Sequence, residues 1–182
     1  MFLHFTNILW DKLSLYVSKR NIILGFVIII LFNLILLPGF PKIFSVPGNY
    51  PLDLKFGYSP AEAYKLLSDM GGKGRTVYLL SEIIIDWPYA VIYTFVYSVV
   101  IIAVYKNFRF SFRKYLIWAP LFLGIFDLLE NSGIVLMIAL FDYKITAPAY
   151  AASMFTKLKW SFAVLTFLLV LIGLILKSLS RK

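Results

Sequence analysis

Cysteine is absent from the 182 residues, which excludes disulfides, thiolate zinc sites, iron–sulfur ligation and catalytic thiols. Histidine is nearly absent, and the single copy, His4, lies outside every apolar run. That removes Ser-His-Asp chemistry, HExxH zinc sites, the Glu-x-x-His di-iron pattern and histidine-ligated haem within the apolar segments. Charge is scarce as well, at 15% of residues, where soluble domains carry about a quarter. Acidic residues are the rarer sign: nine Asp and Glu stand against 18 Lys and Arg, a formal charge of +9.

Apolar surface is what the chain has in quantity. Hydrophobic residues make up 61% of the sequence, aromatics 18%, and the mean hydropathy is +0.85. These values exclude a disordered chain and an ordinary soluble domain, and point to an all-α integral membrane protein. The excess positive charge does not point to nucleic acid, because the basic residues flank apolar runs as interfacial anchors do. No nucleic-acid partner is expected; membrane lipids are.

Four runs are long enough to cross a bilayer, each needing about 20 residues. The expected spans are 21–41, closed by Pro38 and Pro41, then 77–105, 115–141 and 159–177. Residues 2–19 place Asn7, Asp11, Ser14 and Ser18 at helical spacing and read as an interfacial amphipathic helix. The longest connection is 42–75. Its first half is punctuated by Pro and Gly, and Ser59-Pro60-Ala61-Glu62 then announces a capped helix over 60–70. Three glycines in Gly71-Gly72-Lys73-Gly74-Arg75 read as a hinge; the spacing does not match a phosphate-binding loop. The remaining pieces are a basic link at 106–114, a loop at 142–158 and a tail at 178–182. The expected whole is one membrane domain, a four-transmembrane-helix bundle with one longer extracytoplasmic loop.

Positive charge sets the expected orientation. Lys106, Arg109, Arg113 and Lys114 crowd the short link, and Lys12, Lys19, Arg20, Lys177, Arg181 and Lys182 add to the same side. Both termini are therefore expected in the cytoplasm, in a multi-pass protein of the plasma (inner) membrane.

The acidic residues carry the most information. Glu82 and Asp86 lie in the second span, Asp127 and Glu130 in the third. A charge at the bilayer centre costs roughly 2.5–3.5 kcal/mol on insertion scales, so four isolated ones cost on the order of 10 kcal/mol. That approaches the whole stability of a domain, so the acids are expected to face inward and find partners. Helical phase agrees. At 3.6 residues per turn, Tyr78, Glu82, Asp86, Tyr89, Tyr93 and Tyr97 fall within an arc of about 100°. Asp127, Glu130 and Asn131 share a face of the third span. Depth counting puts Asp86 about 14 Å, Glu130 about 16 Å and Asp127 about 21 Å below the outer ends of their spans. Pro88 is expected to kink the second span beside Asp86.

The expected site is thus a carboxylate- and tyrosine-lined pocket. Asp86 and Glu130 are its candidate acid/base groups, and Glu82, Asp127, Asn131, Tyr89, Tyr93 and Arg75 its ligand-binding groups. Lys157 and Lys159 are placed at the outer mouth. No cofactor or metal is assigned: the DDxxD, DxxDG and HxxxxD patterns of membrane-bound transferases are all missing. In architecture alone, without a shared motif from which residues could be carried over, the chain resembles the EXPERA group. Those are four-helix membrane proteins, sterol isomerases and sterol-binding receptors among them, with buried carboxylates around an amphiphile pocket. The favoured expectation is binding of a lipid-like or cationic amphiphile, with proton transfer to it left open. The alternatives are a proton-coupled transporter acting as a homo-oligomer and a non-catalytic scaffold.

Overall fold

The computed structural model describes residues 2–39 and 52–179. The first part of the 42–75 connection and residues 180–182 of the tail therefore lie outside the described residues. Every regular element within them is helical. Helix α1 spans Phe2–Ser14, α2 Lys19–Leu31, α3 Pro60–Asp69, α4 Gly71–Ser81, α5 Trp87–Tyr105, α6 Trp118–Ala139 and α7 Thr146–Leu179. Joined end to end where the helices run on, they give four segments long and apolar enough to cross a membrane: Lys19–Gly39, Gly71–Tyr105, Arg113–Ala139 and Thr146–Leu179. This is a multi-pass membrane protein by helix length and composition.

Two of the spans contain a widened, π-helical turn, and both have the same cause. Phe32–Leu36 ends two residues before Pro38, and Glu82–Asp86 ends two residues before Pro88. Proline offers no N–H and crowds the carbonyl four residues back. The helix answers by letting the preceding residue reach one step further: Leu37 N–H donates to Phe32 O, and Trp87 N–H to Glu82 O. The first span accordingly runs through Pro38 to Gly39 instead of ending there. A π turn also inserts one residue into the helical phase. Up to and within the turn the buried stripe of the second span is Tyr78, Glu82, Ile85; after it, Ala90, Tyr93, Val96. The step from Ile85 to Ala90 is five residues, not three or four, so Asp86 and Tyr89 slide to the edge of the stripe and are half-buried.

Helix α3 forms as the sequence requires. Glu62 N–H donates to Ser59 Oγ at 3.2 Å, and Ser59 N–H returns a bond to Glu62 Oε2 at 2.7 Å, a complete capping box. Those donors hold the Glu62 carboxyl below its ordinary range. Gly71, at φ 67°, then turns the chain in the left-handed region that glycine adopts without strain. The glycines expected to form a hinge are helical from Gly71 onward, and that helix runs on into the second span.

The loop expected at 142–158 is also largely helical. A single turn at Phe141–Tyr143, with Lys144 in the left-handed region at φ 47°, reverses the chain, and α7 starts at Thr146. The local reason is composition: Ala147, Ala149, Ala151 and Ala152 are strong helix formers, and Pro148 sits in the first turn, where its missing N–H is harmless. At 1.5 Å per residue the 34 residues of α7 reach about 51 Å, well beyond a hydrocarbon core of about 30 Å. Lys159 therefore lies about 20 Å along a continuous helix instead of at its first turn.

Packing produces two apolar cores with a polar layer between them. One core gathers Tyr64, Leu67, Tyr78, Ile134, Met137 and Ala152; the other gathers Trp10, Ala90, Val100, Ile101, Ile117 and Leu123. On each of the second, third and fourth spans, the buried acids, Asn131, Thr156 and Lys159 fall between residues of these two groups. Small residues allow the close approach. A methyl group on Gly124 would strike the Thr94 side chain, and one on Gly133 would come within 2.8 Å of the Ala152 Cβ. The first and fourth spans bury least of their most apolar stretch, 11% each, against 50% for the second.

Candidate functional site

Lys159 organises the polar layer. Its ammonium group lies 2.5 Å from Glu130 Oε2 and 3.2 Å from Asp127 Oδ1, and donates to the backbone carbonyl of Asp53 at 3.2 Å. These three oxygens surround the ammonium, two in ion pairs and one as a hydrogen-bond acceptor. The Lys159 side chain is only 10% exposed, that of Asp127 10% and that of Glu130 0%. Ion pairs this buried are held by geometry and by further hydrogen bonds to the remaining lone pairs. Thr156 Oγ1 supplies one to Glu130 Oε1 at 2.6 Å, and the Tyr93 hydroxyl supplies one to Asp127 Oδ2 at 2.6 Å.

Helical spacing explains why these groups converge. Asp127, Glu130, Asn131 and Ile134 make one i, i+3/i+4 stripe on α6. The facing stripe on α7 is Ala149, Ala152, Ser153, Thr156 and Lys159, small or polar at every position until the lysine. From sequence Lys159 is expected at the outer mouth of the pocket, and not among the carboxylates themselves. Extending the small-residue periodicity of 149–156 by one step would have found it.

The cluster continues to the second span. With its amide nitrogen facing the acceptors, Asn131 donates to Asp127 O at 3.1 Å and to Glu82 Oε2 at 3.3 Å. Glu82 is completely buried, and its other oxygen, Oε1, has no hydrogen-bond partner among the described residues. Asp86 stands on the half-buried edge, where Ser81 Oγ donates to its Oδ2 at 3.4 Å across the π turn. The carboxylate that shares Lys159 with Glu130 is thus Asp127, and not Asp86.

Tyr93 is in the network and Tyr89 stands beside it. The Tyr89 and Tyr93 rings pack edge to face at 5.1 Å, while the Tyr89 hydroxyl accepts from Asn33 Nδ2 of the first span at 2.5 Å. Arg75 is engaged elsewhere: it donates to Leu67 O at 3.1 Å and lies 3.8 Å over the Phe141 ring. Among the described residues no three Asp, Glu or His groups come together in an arrangement that could hold a metal ion.

From outside the spans, residues 52–58 close over the layer. Leu52 N–H donates to the Tyr78 hydroxyl at 2.9 Å, Tyr58 N–H to Ser153 Oγ at 2.9 Å, and Trp160 Nε1 joins Lys159 on Asp53 O at 3.3 Å. Burial pushes the Asp53 carboxyl up, with Lys159 pulling it back and Asp127 adding to the rise. Burial, followed by the nearby Glu130 charge, pushes the Tyr58 phenol up. Neither residue was singled out from sequence, because nothing in a Pro- and Gly-rich segment announces a fold-back. No protein family, curated protein or solved structure matches the chain.

The triad generates a prediction. Lys159→Met strands Glu130 and Asp127 as buried, unpaired acids, and breaking a buried pair in this way typically costs about 3–5 kcal/mol. The thermal midpoint and folded yield in detergent should both fall sharply. Adding Glu130→Gln should recover part of the loss, because the amide needs no counter-charge. A Lys159→Met protein as stable as the wild type would contradict the arrangement.

Proposed function

We propose that the protein is a four-helix bundle of the inner membrane with both termini cytoplasmic and α1 lying in the cytoplasmic interface. The support is positional. Lys114 pairs with Asp11 at 3.1 Å and Trp118 Nε1 donates to Thr6 Oγ1 at 3.1 Å, which ties α1 to the basic link; Lys177 Nζ reaches Ala103 O at 3.4 Å. The N-terminal helix, the basic link and the last turn of α7 thus share one end, together with exposed Lys12, Lys19, Arg20, Lys106 and Arg109. Helix α1 buries Trp10 and leaves Leu3, Phe5 and Ile8 exposed, which suits a helix half in the headgroups. The lack of native cysteine makes the orientation easy to test. In intact cells an impermeant maleimide should label Ser68→Cys and spare Ser111→Cys; the reverse pattern would invert the topology.

For the polar layer we propose binding of the cationic head of a lipid-like amphiphile. Asp86 and Glu130 are its candidate acid/base groups, and Glu82, Asp127, Asn131, Tyr89 and Tyr93 its surroundings. The observation that carries this reading is the excess of carboxylates over cations. Asp53, Glu82, Asp86, Asp127 and Glu130 lie within electrostatic reach of one another, and the ammonium among them is that of Lys159. Buried carboxyl groups that outnumber their cations suit a positively charged guest, whose approach favours their ionised forms. Asp86, at the edge of the stripe and next to the loosely packed first span, is the carboxylate best placed to meet it.

The test is thermal stabilisation of the purified protein in a neutral detergent. Dodecylamine should raise the midpoint saturably, dodecanol should not, and Asp86→Asn should weaken the amine effect. No stabilisation by the amine, or an undiminished effect in Asp86→Asn, would count against this reading. The unbroken chain Tyr93–Asp127–Lys159–Glu130–Thr156 favours a second one, proton-coupled transport by a homo-oligomer. Liposomes carrying the protein would then show pH-driven proton flux without amine stabilisation.

A further inference from the structure

Helix α1 packs one face on the bundle and leaves the other outside. Thr6 and Trp10 are buried, and Trp118 Nε1 donates to Thr6 Oγ1 at 3.1 Å. At 3.6 residues per turn, Phe5, Ile8 and Lys12 fall within an arc of about 60° on the opposite side. All three are exposed, Phe5 even though its ring centroid lies 6.1 Å from that of Trp118. Leu15, just past the last turn, is exposed too.

Two observations say what covers this face. The first is Lys12, a cation among apolar neighbours. A second copy of the chain seated here would bury that ammonium without a partner, because Asp11, the acid of α1, is already paired with Lys114 at 3.1 Å. Lipid imposes no such cost, since the alkyl stem lies along acyl chains while the ammonium reaches the phosphates. The second observation is the charge around α1. Lys114, Arg113 and Lys177 serve the fold, the latter two by donating to Phe108 O at 2.7 Å and Ala103 O at 3.4 Å. Lys12, Lys19, Arg20, Lys106 and Arg109 are exposed and in no ion pair among the described residues. At the other end of the bundle Glu62, Asp69 and Asp142 are interspersed with the cations, and Lys65 pairs with Asp69 at 2.7 Å. Exposed apolar side chains together with unpaired cations match an anionic leaflet, where each basic residue near the surface adds to the attraction. A soluble anion would use the cations and leave Phe5, Ile8 and Leu15 in water.

We propose that this end docks on anionic phospholipid headgroups: Phe5, Ile8 and Leu15 enter the leaflet beside the bundle, and the five unpaired cations hold phosphates around them. This rests on the interfacial reading of α1 above and names the lipid class that α1 meets. The bonds from Lys114 and Trp118 to α1 matter because they fix Lys12 relative to the basic link, so that one patch engages several headgroups at once.

The experiment uses the full chain, which has no native cysteine, with a fluorophore attached at Ile8→Cys. The protein is placed in nanodiscs of equimolar phosphatidylglycerol and phosphatidylcholine with matched acyl chains. A nitroxide quencher is carried on the chains of one lipid or of the other. Quenching should be stronger by about twofold or more when phosphatidylglycerol carries the nitroxide. That preference should fall by at least about half in Lys12→Gln/Lys19→Gln/Arg20→Gln, with quenching itself retained. It should also shrink at about 1 M salt, where the screening length is about 3 Å. Equal quenching by the two lipids, or a preference unchanged by the triple substitution, would overturn the docking assignment while leaving α1 in the interface. Quenching by neither lipid, as a second copy or water over this face would give, would instead overturn the interfacial reading itself, so the two failures are distinguishable.

Discussion

One ammonium group holds the polar layer together. Lys159 sits where the third and fourth spans and the segment 52–58 meet, and its ammonium contacts Asp127, Glu130 and Asp53 O. Remove it, and Glu130, with no exposed surface, faces Asp127 and Glu82 with no compensating charge. The desolvation of an unpaired buried ion amounts to several kcal/mol, a large part of what a domain has to spare. The apolar cores on either side pack well only if the polar groups between them stay matched. The small residues along α7 serve the same end, since Ala152 and Thr156 let α6 come close enough for the carboxylates to reach the lysine.

The second constraint is proline. Pro38 and Pro88 each follow a π turn, and in the second span that turn changes the role of a residue. An unbroken α-helix would put Glu82 and Asp86 on the same line. The inserted residue leaves Glu82 inside and moves Asp86 to the edge, beside Ser81. Two carboxylates four positions apart thereby acquire different environments, one sealed and one half open.

The four spans were legible because apolar runs of the necessary length have no other stable use. The stripe on the third span was legible from its i, i+3/i+4 spacing, and the capping box at Ser59 from four residues. Three features were not. Lys159 was hidden because a charge next to an apolar run looks like an interfacial anchor; the continuation of its helix upstream is decided by alanine content, not by hydropathy. The displacement of Asp86 was hidden because phase counting assumes 3.6 residues per turn, and a single π turn voids that assumption for everything after it. The fold-back of Asp53 and Tyr58 depends on contacts from residues about a hundred positions away, Ser153, Lys159 and Trp160, which local pattern cannot carry.

The contacts of Lys159 with Glu130 and Asp127 are distances that can be read in a bilayer. Solid-state NMR on protein in lipid, with the lysine side-chain nitrogens labelled with nitrogen-15 and the Asp and Glu carboxyl carbons with carbon-13, measures them without a mutation in the site. Strong dipolar contacts from one protonated lysine nitrogen to both a glutamate and an aspartate carboxyl, in a population that water does not reach, are the result expected for Lys159 with Glu130 and Asp127. If every lysine nitrogen instead exchanges freely with water and none shows a close carboxyl carbon, the buried triad does not exist in the membrane and the account built on it fails.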